Sequence, residues 1–127
     1  MTDPRLASIM ERLSREANVD MHAGVAAPGA GQGKLVSLLR MMALTHRDDL
    51  VEVEACLRAG ERGRARKITH TLRGVAAMLG AMALYDAVEV VDARLRESLD
   101  VEPDDIRESI AEASRRLEQL LEIVGEA

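Results

Sequence analysis

Residues 62–81 read RGRARKITHTLRGVAAMLGA. An α-helix advances about 100° per residue. With Ile68 at the origin, Leu72, Val75 and Leu79 fall within about 40° of it, which predicts one apolar face on a helix from Arg62 to Leu79. His70 falls at about 200°, almost opposite. Gly63, Arg66, Gly74 and Ala77 share its side of the helix, with Arg73 beside them. The spacing therefore predicts an imidazole in solvent, on a surface stripped of bulk and lined by guanidinium groups. Gly74 is interior to the helix, where glycine costs about 1 kcal/mol relative to alanine. It points away from the apolar face. Close approach of another surface beside His70 is the simplest gain that offsets this cost. Gly80 marks the helix end.

Other helices flank this one. Upstream, Leu35, Leu39, Met42, Leu50, Val53 and Leu57 recur at helical spacings, which predicts one long helix from about Lys34 to Ala59, stopped by Gly60. Downstream, Leu84, Val88, Val91 and Leu95 form the stripe of a helix from Met82 to about Ser98. A last helix starts near Pro103, with Pro in the first turn and Asp104 and Asp105 near the positive end of its dipole. Its stripe is Ile106, Ile110, Ala113, Leu117, Leu120 with Leu121, and Val124. Four long amphipathic helices with short connections predict an all-α, antiparallel four-helix bundle. Asp3 and Pro4 open an additional N-terminal helix ending near Asn18, with Leu6, Ile9, Met10 and Leu13 as its stripe. The stretch AGVAAPGAGQGK, residues 23–34, reads as a loop. The expected division is an accessory helix at 1–18 and the bundle at 19–127.

Composition agrees. The 127 residues suit one domain. Tyr85 is the only aromatic residue, which disfavours a sheet protein. Apolar residues at 47% and a single cysteine, Cys56, exclude a disordered chain and a disulfide scaffold. The lone cysteine suggests a reducing compartment, the N-terminus has no apolar block, and no apolar run reaches membrane-spanning length. The chain is thus expected to be cytoplasmic, without membrane attachment. Net charge is -5, yet Arg58 to Arg73 holds six basic residues against Glu61 alone. A basic patch on an acidic protein points to a specific anionic partner. Nucleic acid is not expected, because neither stacking aromatics nor a long basic stripe is present.

Several motifs fail on inspection. GAGQGK at 29–34 mimics a phosphate loop, but the pattern needs Gly at 28 and Ser or Thr at 35, where the chain has Pro28 and Leu35. A di-metal bundle needs Glu three residues before His. Val19, Ala43 and Lys67 stand there instead, so no metal site is expected. Cys56 reads as a small core residue. His22 reads as a solvated loop residue. His46, between Met42 and Leu50, reads as a core histidine with a satisfied ring nitrogen.

The run His70-Thr-Leu-Arg-Gly-Val-Ala-Ala-Met-Leu-Gly-Ala81 resembles the signature of histidine-containing phosphotransfer (HPt) domains, roughly H-x-L-K-G-x-x-x-x-L-G-A. His70, Leu72, Gly74, Leu79, Gly80 and Ala81 match, and Arg73 replaces the usual Lys. The resemblance covers roughly Val19 to Val124. It implies a phosphorelay intermediate without autokinase activity. His70 would take a phosphoryl group from a receiver-domain aspartate and pass it to another receiver. Arg73 would hold phosphoryl oxygens. Arg66, Lys67, Gly74 and Ala77 would form the docking surface for receivers of response regulators or hybrid histidine kinases. The chain would bind no cofactor, the magnesium ion belonging to the receiver, and would act as a monomer. Imidazole offers a nucleophilic lone pair near neutral pH. Three departures stand out: Arg73, Met42 where Phe is common, and Val75 with Met78 where small or polar residues are usual, both expected to serve packing. The rival reading within this fold is a non-phosphorylated docking or inhibitor module that binds a histidine kinase or receiver. In that class the active histidine is commonly lost.

Overall fold

The structure is a computed structural model and describes residues 4–20, 31–97 and 103–125. His22, Pro28 and most of the Gly-rich loop lie outside the described residues. Among the described residues six helices follow one another: α1 Pro4–Ala17, α2 Gln32–Thr45, α3 Asp49–Arg58, α4 Arg62–Met78, α5 Met82–Glu97 and α6 Pro103–Val124. All are amphipathic and close on one apolar core. α4 packs between α3 and α5, and α6 packs on α2, α3 and α5. The expected stripes of α5 and α6 are buried almost residue for residue; Leu121 is half-buried. Met42 fills the core and Cys56 is buried as a free thiol.

The expected long helix is broken. Residues 46–48 form a turn between α2 and α3. The His46 amide donates to the Met42 carbonyl at 2.9 Å, and the Asp49 amide to the His46 carbonyl at 3.0 Å. Four polar residues in a row, His46-Arg47-Asp48-Asp49, leave no apolar side chain to hold the helix straight. Asp49 and Glu52 then place acid in the first turn of α3, where the dipole favours it. His46 is accordingly half-buried rather than a core residue, although its ring nitrogen is satisfied as expected. Its side chain is 18% exposed, and its Nδ1 lies 2.6 Å from Asp49 Oδ2 across the turn. The break sends α2 onto α1 and α6 and leaves α3 to support α4.

The core face of α4 is also rotated from the sequence expectation. Ala65, Thr69, Leu72 and Ala76 are its buried residues, while Ile68 and Val75 are half-buried at the edge. Small residues on this face let α3 and α5 approach closely. Met78, expected to pack, is 59% exposed. Gly80 ends α4 in the left-handed region, with φ 72°. α1 rests on α6, α2 and α5, and contributes Ile9, Met10, Leu13 and Ala17 to the common core. The chain leaving α1 is sewn to the α4–α5 turn. Val19 bridges Ala81, the Asp20 amide donates to the Gly80 carbonyl at 2.7 Å, and the Met82 amide to the Asn18 carbonyl at 3.3 Å.

Candidate functional site

His70 projects from the exposed side of α4, as its angle predicts. Among the described residues it has no hydrogen bond and no ion pair. Gly63 and Gly74 lie on the same exposed face, and a Cβ built on either would meet nothing within 4 Å. The packing of the chain therefore does not require glycine at these positions. Ala77 and Met78 continue the exposed face toward the helix end. The result is a low, smooth surface around an unhindered imidazole.

A shallow depression of about 340 Å³ surrounds the histidine, lined by Gly63, Arg66, Lys67, His70, Arg73, Asp92 and Arg96. Of the six basic residues between Arg58 and Arg73, three are committed to acids. Arg58 pairs with Glu54 at 3.0 Å, Arg64 with Glu52 at 2.5 Å, and Arg73 with Glu89. Among the described residues Arg62, Arg66 and Lys67 form no ion pair; Arg62 is half-buried at the start of α4, and Arg66 and Lys67 are the exposed cations nearest His70 along its face. The basic surface is thus narrower than the sequence count suggests and is centred on the histidine.

Arg73 leans across to α5. Its Nε meets the Glu89 carboxylate, its terminal nitrogen donates to the Tyr85 hydroxyl at 3.3 Å, and its guanidinium sits 5.5 Å from the Tyr85 ring centroid. The hydrogen bond to Tyr85, with the charge of Glu89, pushes the Arg73 pKa above its ordinary value. Glu89 also takes Arg96 at 2.8 Å, and Arg96 reaches Asp92 at 3.1 Å. Asp92 is 3% exposed and lies 3.5 Å from the Thr69 hydroxyl, which donates within α4 to the Arg66 carbonyl at 3.0 Å. An Arg–Glu–Arg–Asp chain therefore ties the floor of the site to α5.

Sequence spacing brought His70, Arg66, Gly74 and Ala77 to one face, and the structure leaves all four exposed there; Lys67, named through the family resemblance, is exposed beside them. The structure places Arg73 in the same depression, but turned onto Glu89. The periodicity reading missed Thr69, Tyr85, Glu89, Asp92 and Arg96. Asp92 had left a signal: it stands four residues after Val88, inside an apolar stripe, with Arg96 four further on.

Among the described residues, the all-α bundle presents His70 exposed and unpartnered between cations and glycines. The family model described as Hpt domain matches residues 37–127, and the chain belongs to that family. Searches of curated proteins and of solved structures found no match. Hpt domains are phosphocarrier modules of two-component signalling and interact with receiver domains of response regulators or kinases. No helix among the described residues is long and apolar enough to cross a membrane.

Proposed function

We propose that this chain is a phosphorelay intermediate, with His70 accepting a phosphoryl group from a receiver aspartate and passing it to the aspartate of another receiver. The observation that carries this reading is the unhindered, unpartnered imidazole between two glycines that the chain's own packing does not need. A ring nitrogen of His70 attacks phosphorus, an N–P bond forms, and the O–P bond of the aspartyl phosphate breaks, the electron pair leaving with the receiver carboxylate. The second transfer reverses these events. Such transfers depend on in-line positioning and charge stabilisation rather than covalent help. Arg66 and Lys67 supply positive charge at the rim, and Gly74 and Ala77 let the receiver backbone approach. Arg73 is the residue that would hold phosphoryl oxygens. Magnesium is expected on the receiver. The chain is a carrier without autokinase activity, acts as a cytoplasmic monomer, and engages neither nucleic acid nor membrane. Residues 1–18 serve as an accessory helix to the functional bundle at 19–127.

A transfer assay tests this. Receivers charged with a small phosphodonor are mixed with the chain, and label that is acid-labile and alkali-stable is sought. Such label on the wild type and none on His70→Gln is the expected result. Label that persists in His70→Gln overturns the assignment. Receiver binding with no label on the wild type favours the docking-module reading.

A further inference from the structure

Arg73 and His70 stand three residues apart on α4, close enough for their side chains to meet, and both line the same depression. In the structure the guanidinium is nevertheless engaged elsewhere, on Glu89 and over Tyr85. Glu89 is shared: it also holds Arg96 at 2.8 Å, and Arg96 keeps Asp92 at 3.1 Å. Release of Arg73 would leave neither Glu89 nor Arg96 without a partner. The Arg73 and Glu89 side chains are 30% and 31% exposed, so both reach water although the two atoms that meet, Arg73 Nε and Glu89 Oε2, are themselves shielded. A phosphoryl group brings close to two negative charges and three acceptor oxygens. Arginine binds such oxygens in bidentate fashion, more strongly than it holds one half-solvated carboxylate.

We propose that Glu89 is a positioning residue that parks Arg73 on α5 in the resting chain and surrenders it to the phosphoryl group once His70 is charged. The inference rests on the carrier reading above. It makes Glu89 the competitor that sets how firmly the phosphohistidine is held. With Glu89 present, the carrier keeps its phosphoryl group loosely enough to hand it on. Tyr85 marks the parked position, since its ring loses the guanidinium when Arg73 swings to His70.

The test uses phosphoramidate as the phosphodonor, which needs no receiver. The His70 ring nitrogen attacks phosphorus, an N–P bond forms, the donor P–N bond breaks, and ammonia leaves with the proton. The donor is removed and loss of acid-labile label is followed. Glu89→Gln should lengthen the phosphohistidine half-life about two- to fivefold, the range set by one half-exposed ion pair. In an Arg73→Ala background the same substitution should lengthen nothing. Tyrosine emission, which comes from Tyr85 alone, should change on labelling of the wild type and stay constant in Arg73→Ala. Glu89→Ala serves as a second variant should the amide pack poorly. An unchanged half-life in both Glu89 variants overturns the inference. So does a gain that persists without Arg73, which would mean simple charge repulsion from Glu89. Wild type that takes no label overturns the carrier reading and this inference together. Labelled wild type with unaltered Glu89 variants overturns this inference alone.

Discussion

At position 70 the helix offers an exposed imidazole, with glycines at 63 and 74 on its face and Arg66 and Lys67 beside it. Gly74 is the sharpest probe of that arrangement. Its Cβ site is open, so Gly74→Leu should fold, and replacing a helix-interior glycine should raise stability by about 0.5–1 kcal/mol. Transfer from a charged receiver should fall at least tenfold, because the added side chain occupies the approach path. A thermal melt and a transfer time course on the same sample check both halves. Arg73→Ala should shorten the phosphohistidine lifetime while leaving helicity by circular dichroism unchanged. The positions of His70 and Gly74 were legible because helical angle alone decides which way they point. The partners of Arg73 were not. Glu89 and Tyr85 belong to the next helix, and only the rotation of α5 against α4 brings them within reach.

At the scale of the element, α4 is held by a face of small residues with one large side chain among them. Leu72 is fully buried, and Leu72→Ala should cost about 2–5 kcal/mol, read as a shift in the urea midpoint. Gly80 turns the chain from α4 into α5 at φ 72°, so Gly80→Ala should cost about 1 kcal/mol and should tilt the end of α4 without touching His70. The helices themselves could be read from spacing, since the stripes of α5 and α6 are buried where periodicity puts them, while that of α4 is rotated. The break between α2 and α3 could not be read in that way. No Gly or Pro marks it, and the apolar register on both sides is close enough to bridge it. What decides it is tertiary: α2 finds α1 and α6, while α3 finds α4. The rotated face of α4 has the same origin, because alanines and a threonine carry little weight in a hydrophobic count yet pack best against close neighbours.

Over the whole molecule, acid outweighs base, but the charge near His70 has the opposite sign. Arg66 and Lys67 carry most of that local field, since Arg58, Arg64 and Arg73 are paired with acids and Arg62 is half-buried. Replacing Arg66 and Lys67 with alanine should slow receiver association up to about tenfold at low salt, with the difference shrinking as added salt screens the surface. Stopped-flow mixing across an ionic-strength series checks it, and the phosphohistidine lifetime should not change. The bridge from Val19 to Ala81 bears on how the molecule comes to be. α1 leaves the ribosome well before the α4–α5 turn that tethers the chain beyond it. α1 also rests chiefly on α6, at the far end of the described chain, so its docking closes long loops and is expected in a late stage of folding. Leu13, fully buried beneath that helix, should then report on escape rather than arrival. In a chevron experiment Leu13→Ala should speed unfolding by most of its equilibrium cost and leave the refolding limb nearly where it was.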